Sequence, residues 1–142
     1  MKVSSRNQFS GVVKEVVKGA VNAEIHVQLD GGEMLIASIT NDSVPALHLA
    51  KGIQVIALIK APQITIVTDF GGYKLSARNQ LQGIVSQVKT GVINAEIILT
   101  IKGGDQIAVT VTKDSVQTLN LHEGQIATAV FKAGAVILAV AS

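Results

Sequence analysis

A set of polar side chains occurs twice in this chain, at positions 72 residues apart. Arg offers a planar fork of N–H donors and Lys a compact charge, and neither can accept a hydrogen bond. Hydroxyl and backbone N–H groups complete such a donor shell, which suits a small tetrahedral oxyanion. The alternative interpretation is that the bases are ordinary solvated side chains and the hydroxyls end a strand or cap a helix. The repeated set is Ser4, Arg6, Asn7, Asn22, Glu24, Thr40, Asp42, Ser43 and Lys60, with partners 72 positions later.

The donors recur because whole segments recur. Residues 4–70 align with residues 76–142 without a gap, and 24 of the 67 aligned pairs are identical. Two copies of this length indicate a duplicated small domain, since a solenoid needs three or more shorter repeats. A unit this small is marginal alone, and the chain has no cysteine to staple it. We predict a first domain at residues 1–69, a linker at 70–75 and a second domain at 76–142, associated with each other or with further chains.

Composition limits the class of protein. The chain has 142 residues, 48% of them hydrophobic, with 12 basic and 10 acidic side chains. The hydrophobic excess favours subunit contacts, because no stretch approaches the roughly 20 apolar residues of a membrane span. The N-terminus carries no apolar core of a leader, so we expect a cytoplasmic protein without a membrane partner. The near balance of charge does not require a polyanionic partner.

The local pattern is β. In the first copy, apolar and polar residues alternate over 20–29, which is typical of a half-buried strand, and Asp30-Gly31-Gly32-Glu33 has the residues of a tight hairpin. The residues from Thr40 to Gly52 indicate one or two helical turns. Five strands are expected, at 11–17, 20–29, 34–39, 53–59 and 63–68. The sequence therefore predicts an all-β protein of two tandem OB-fold-like five-stranded Greek-key barrels, each with a short helical turn between strands 3 and 4; an SH3-like barrel has a similar pattern.

A second repeated stretch is a glycine followed by small residues and ending in asparagine and glutamate. Backbone N–H groups beside such a glycine can approach a ligand or a neighbouring chain closely, or the stretch is simply a tight turn. An ionised glutamate cannot ligate an anion directly, so we expect Glu24 to pair with Arg or Lys. The stretch covers Gly19, Ala20, Val21 and Asn22, and again Gly91, Val92, Ile93 and Asn94.

Catalytic and nucleic-acid functions are poorly supported. None of the three histidines, His26, His48 and His122, occupies a duplicated position, so we interpret them as surface residues and expect no enzyme. Nucleic-acid-binding OB modules stack bases on aromatic side chains in a basic groove. Aromatic residues make up only 3% of this chain and none is aromatic in both copies, so we expect no nucleic-acid partner.

The order of the repeated motifs resembles the Mop family of molybdate-binding domains. In the second copy the motifs are Ser76-Ala77-Arg78-Asn79-Gln80 with Gly83, then 90–96, then 111–116, then Lys132-Ala133, and the first copy has the same succession with Ser5 for alanine. The resemblance covers nearly the whole chain, and two units in one chain are similar to the tandem, di-Mop members of the family. It implies an OB-like fold and a homotrimer that binds molybdate, or tungstate, between subunits.

The resemblance also implies two kinds of oxyanion site. The interface sites would use Ser4, Arg6, Thr40, Lys60 and Ala61, and Ser76, Arg78, Thr112, Lys132 and Ala133. Sites near a threefold axis would use the two turns at Gly19–Asn22 and Gly91–Asn94. The implied function is molybdenum storage or homeostasis in the cytoplasm, with no chemistry performed on the ligand. The alternative is a regulatory module that senses the oxyanion and docks on a transporter or regulator.

Overall fold

The computed structural model describes residues 1–142 and contains two five-stranded antiparallel sheets with the same element order. The first repeat forms β1 (Asn7–Lys18), β2 (Asn22–Leu29), β3 (Met34–Thr40), α1 (Ser43–Ala46), β4 (Gln54–Ile59) and β5 (Thr65–Val67). The second forms β6 (Asn79–Thr90), β7 (Asn94–Ile101), β8 (Gln106–Thr112), α2 (Lys113–Thr118), β9 (Ile126–Phe131) and β10 (Ile137–Ala139). A 3₁₀ turn precedes each short last strand, at Ala61–Gln63 and Ala133–Ala135. The predicted all-β class, with a short helix between the third and fourth strands, is confirmed.

The strands follow the alternation of the sequence. In β2 every second side chain, from Ala23 to Leu29, is buried, and β7 repeats this pattern. The β2–β3 turn is closed by Gly32, whose φ of +101° favours glycine. The predicted fifth strand began too early, because Ala61–Gln63 forms the 3₁₀ turn instead. No helix in the structure has the length and hydropathy needed to cross a membrane.

The two repeats exchange their last strands. Strand β5 pairs with β9 of the second repeat, and β10 pairs with β4 of the first, so the sheet orders are β10-β4-β1-β2-β3 and β5-β9-β6-β7-β8. Neither sheet is therefore built from one repeat alone. The proposed boundaries at residues 69 and 76 stay a prediction, and they describe the repeat in the sequence better than the division of the sheets.

One hydrophobic core serves both repeats. A single cluster of 28 buried residues includes Ile25 and Leu35 of the first copy and Ile97 and Ile107 of the second. A duplicated unit that is marginal alone thus gains buried area from its own twin. The association expected from the size of the unit is present within one chain.

A buried asparagine at the start of each first strand joins the two repeats. Strand β8 lies at the edge of its sheet, where unpaired backbone groups would otherwise be exposed. The Asn7 side chain supplies the missing strand: Nδ2 donates to Ala108 O at 2.8 Å, and Oδ1 accepts from Ala108 N at 2.7 Å. Asn79 makes the same pair of bonds with Ile36 on the edge of β3. These duplicated amides are structural, a role that their polarity and duplication in the sequence did not indicate.

Replacing the amide should destabilise the fold. Asn7 is 2% exposed, so Asn7→Ala leaves a buried N–H and a buried C=O of Ala108 without partners, at about 2–3 kcal/mol. Urea denaturation monitored by circular dichroism measures the loss, and Asn79→Ala should lose a similar amount. Gln8→Ala, an exposed neighbour, serves as the control and should change stability by about 0.5 kcal/mol or less. Equal effects of Asn7→Ala and Gln8→Ala would contradict the role of the amide.

Both helices end in the same left-handed position. His48 and its twin Asn120 have φ of 53° and 49°. The following residue completes a Schellman motif, since Leu49 N donates to Val44 O and His48 N to Pro45 O. Glycine is preferred at this position, and asparagine is tolerated better than a bulky side chain.

Substitution at this position should therefore stabilise the protein. We expect His48→Gly to raise the free energy of unfolding by about 0.5–1 kcal/mol, because it relieves the left-handed conformation of a side chain with Cβ. Ala46→Gly, inside α1, is the control and should lower it by a similar amount. Thermal or urea unfolding of both variants tests the pair. A destabilising His48→Gly would show that the imidazole makes a compensating contact.

Candidate anion-binding site

The two predicted bases of each repeat lie side by side at the same end of a sheet. Asn7 pairs with Ile59 across β1 and β4, so Arg6 and Lys60, the next residues outward, leave the ladder together. Asn79 pairs with Phe131 in the same way and brings Arg78 beside Lys132. All four bases are exposed, and neither Lys60 nor Lys132 takes part in an ion pair. Each pair leaves one ammonium free to receive an anion.

Each basic pair lies over the strands of the other repeat. The 3₁₀ turn Ala61–Gln63, which directly follows Lys60, packs on β8, and its twin packs on β3. A groove runs between the turn and the end of β8; it is lined by Pro62, Ile64, Thr65, Ile66, Asn94, Thr110, Val111, Thr112, Ser115 and Leu119. Lys60 therefore directly precedes a turn that shares a groove with Thr112 of the second copy.

The duplicated threonines are the last residues of β3 and β8, just before the helical turns. Thr112 caps α2, and its Oγ1 accepts from Ser115 N at 3.1 Å and lies 2.9 Å from Ser115 Oγ. Thr40 Oγ1 lies 2.8 Å from Ser43 Oγ. Each Thr–Ser pair carries two hydroxyl protons, of which their mutual bond uses one, so each pair retains a donor for a ligand. Both threonines are exposed.

Each arginine is held by a glutamate of the other repeat. Arg6 donates through Nη1 and Nη2 to the two oxygens of Glu96, at 2.5 and 3.1 Å. Arg78 donates through Nη1 to Glu24. The prediction that Glu24 pairs with a base is confirmed. Its partner lies in the other copy, which the sequence did not indicate. A carboxylate thus belongs to the immediate surroundings of each arginine of the donor set.

The remaining interface residues differ in what they can offer. Ser4 and Ser76 are exposed in the segments before β1 and β6, where their hydroxyls are accessible. Ala61 and Ala133 are only 3% and 8% exposed, so any contribution to a ligand comes from their backbone N–H groups. The hydroxyl of Ser5, where the motif usually has alanine, donates to Ile59 O at 2.8 Å. The extra hydroxyl that Ser5 could have added to the site is thus already committed to the backbone.

The two glycine-to-asparagine turns form the tips of the β1–β2 and β6–β7 hairpins. Gly19 N donates to Asn22 O at 2.8 Å, and Gly91 and Asn94 repeat the bond. Asn22 lies opposite Thr40 in the ladder, and Asn94 lies opposite Thr112. The two predicted kinds of site are therefore adjacent in the fold. The apolar residues of the tips are strongly exposed: Val21 by 74%, Val92 by 91% and Ile93 by 74%.

One histidine lies closer to this cluster than the sequence indicated. His26 was interpreted as a surface residue, but it is half-buried on β2, with Nε2 at 3.4 Å from Glu24 Oε1 and Nδ1 at 3.9 Å from Glu15 Oε2. His48 and His122 are exposed, as expected, whereas His26 is only partly exposed. The available signal was the alternation of β2, which places residues 24 and 26 on the same face of the strand.

Comparison with known proteins identifies both repeats. The TOBE domain model matches residues 4–66 and 75–138. The molybdenum transport protein ModE of Herbaspirillum seropedicae is 43% identical over 140 residues, which are 99% of this chain and 52% of ModE. The molybdenum-pterin-binding protein MopA of Rhodobacter capsulatus is 41% identical over 139 residues, which are 98% of this chain and 52% of MopA. The chain thus spans about half the length of these curated relatives.

A solved structure matches along the whole length. The crystal structure of the cytoplasmic molybdate-binding protein ModG, in a form with molybdate bound, superimposes with a TM-score of 0.95. It is 48% identical in sequence, and the match covers 99% of this chain and 100% of that one.

Proposed function

The chain belongs to the TOBE domain family, of the Mop type, and we propose that it binds molybdate, or tungstate, in the cytoplasm as a molybdenum store or buffer. The observation that carries the proposal is the full-length likeness to ModG, a cytoplasmic molybdate-binding protein whose structure contains molybdate. The geometry supports it, because Arg6 and Lys60 leave their sheet together beside a groove that Thr112 lines.

The chemistry of the ligand explains the choice of side chains. Molybdate and tungstate are fully deprotonated near neutral pH, so all four oxygens accept hydrogen bonds and none donates. Arginine, lysine and backbone N–H groups can only donate. Phosphate retains a hydroxyl that would meet donors, which leaves a donor unpaired and weakens binding. Sulfate, like molybdate, carries no hydroxyl, so the donors alone do not reject it. We propose that the binding site excludes sulfate by its size.

We propose that the functional form is a homotrimer with the sites between its subunits. The support from this chain is the set of strongly exposed apolar residues at the hairpin tips, which include Val21, Val92 and Ile93. Burial of such residues is a large part of what drives association. The tips also carry Gly19–Asn22 and Gly91–Asn94, so chains that meet there would bring both turns toward a shared axis. An anion bound only in the assembled form would stabilise it by mass action.

A second candidate function is the sensing part of a regulator. The observation that favours it is the identity to ModE proteins, of which this chain matches 52% of the length. One of them, from Escherichia coli K12, is named as a DNA-binding transcriptional dual regulator. Both candidates bind the same ligand. A pull-down of the full chain from cells grown with molybdate would retain a partner protein if it is a docking module and none if it is a store.

Catalysis and direct nucleic-acid binding are not part of the proposal. The similar proteins are named for molybdenum binding, transport and regulation. In the candidate site each carboxylate is paired with an arginine, and each threonine hydroxyl bonds to a serine rather than to a histidine or a carboxylate. The low aromatic content of 3% also disfavours stacking on bases.

Calorimetry with four anions tests the proposal. We expect heat of binding with molybdate and tungstate, and affinity at least about tenfold weaker for sulfate and phosphate, because the hydroxyl of phosphate and the size of sulfate each remove contacts. Metal analysis of protein purified from molybdate-supplemented cells should find molybdenum at a fixed ratio to the chain. Equal affinity for all four anions would refute the selectivity, and no binding of any would refute the function.

The free lysine should contribute directly. Lys60→Ala removes the unpaired ammonium beside Arg6, and we expect molybdate affinity to fall about tenfold or more, as is typical for charge-assisted hydrogen bonds of about 1.5–3 kcal/mol. Lys51→Ala, which removes an exposed lysine at the loop before β4, is the matched control and should bind like the parent. A similar affinity of both variants and the parent would place the anion elsewhere.

A further inference from the structure

The arginines of the candidate site are not free. Both terminal nitrogens of Arg6 are engaged by Glu96, and Arg78 is engaged by Glu24. The glutamates are the more enclosed partners, with side chains 23% and 34% exposed, against 60% and 50% for the arginines. An anion that approaches the cluster therefore meets guanidinium groups that already hold a carboxylate.

The position of each group indicates which one moves. Glu96 lies within β7, opposite Lys89 in β6 and Thr110 in β8, so strands on both sides hold its backbone. Glu24 is held in the same way in β2, between Val17 and Ser38. The arginines lie just outside their strands, in the segments before β1 and β6. The carboxylate is thus the fixed member, and the guanidinium is the arm that can turn toward a ligand.

We propose that Glu96 and Glu24 act as resident carboxylates that compete with the oxyanion for Arg6 and Arg78 and thereby set the affinity of the site. The inference rests on the proposed function. Carboxylate and oxyanion are both acceptors for the same fork of N–H groups, so binding of one weakens binding of the other. This competition makes the glutamates affinity-determining residues of the site, although their negative charge prevents them from binding the anion themselves.

Charge points in the same direction. Arg6, Lys60 and Glu96 together carry one net positive charge, and without the carboxylate the two bases match a dianion. A carboxylate near the site also repels a doubly charged ligand at any distance within about 10 Å. Such a competitor favours release of the bound anion, because the carboxylate forms its ion pair with the arginine again as the anion leaves.

The opposite role would give the opposite sign. A glutamate that only orients an arginine improves binding, and its removal weakens binding by freeing the side chain. A glutamate that competes for the arginine lowers the affinity, and its removal tightens binding. The direction of the change in affinity therefore separates the two roles. Removal of a purely structural ion pair would leave the affinity for the anion unchanged.

The second copy offers the simpler test. The neighbour of Glu24 on its strand face is His26, at 3.4 Å, whereas the residue equivalent to His26 beside Glu96 is Ile98. We expect Glu96→Gln to bind molybdate about two- to fivefold more tightly than the parent at low salt, from the typical strength of a partly exposed ion pair. Glu96→Asp keeps the charge and should stay within about twofold of the parent. Glu33→Gln, at the far end of the β2–β3 hairpin, removes a charge away from any arginine and serves as the control.

Calorimetry with molybdate and with sulfate decides the proposal. Tighter binding of molybdate by Glu96→Gln and by Glu24→Gln, with Glu33→Gln unchanged, supports it; unchanged or weaker binding by both overturns it. A parent that binds neither anion would refute the proposed function separately. Even then, Gln variants that acquire binding of a tetrahedral dianion would support the competition, and variants that acquire none would overturn it. Thermal unfolding of each variant verifies that the fold is intact.

Discussion

The exchange of the last strands between the two repeats is the constraint on which the structure depends. Strand β5 completes the second sheet and β10 completes the first, so each repeat supplies four strands to one sheet and one strand to the other. The 3₁₀ turns that lead into the exchanged strands then lie on the opposite edge strands, β8 and β3. Asn7 and Asn79 reinforce the same junction by pairing with those edges.

The arrangement of the candidate site follows from this exchange. Lys60 immediately precedes the turn that crosses to the second repeat, and the turn and β8 form the groove that contains Thr112. Arg6 reaches Glu96 across the same junction. An arginine of one copy and a glutamate of the other, which lie far apart in the sequence, are thereby brought together twice within one chain. The internal duplication of the sequence and the exchange of strands together produce two related clusters from one set of motifs.

Much of the fold could be predicted from the sequence, because its signals are local. Alternation identifies β2, the paired glycines identify the hairpin turn, and the gapless repeat transfers each assignment to the second copy. The pairing of β5 with β9 could not be predicted, since the same alternation suits either sheet. The repeat in the sequence indicates which polar residues lie at the junction between the two copies, but it does not indicate which residues they contact there. Asn7 and Arg6 are adjacent and equally polar in sequence, yet one is buried as a structural amide and the other is exposed beside Glu96.

Diffraction from crystals of the full chain grown with tungstate, with the anomalous signal of tungsten locating the anion, tests the composite nature of the site most directly. The expected result is a tungsten peak whose oxygens lie within hydrogen-bond distance of Arg6 and Lys60 on one side and of the β8 end of the second repeat on the other, with an equivalent peak beside Arg78 and Lys132. Peaks enclosed by residues of a single repeat, with the four bases directed into solvent, would contradict it.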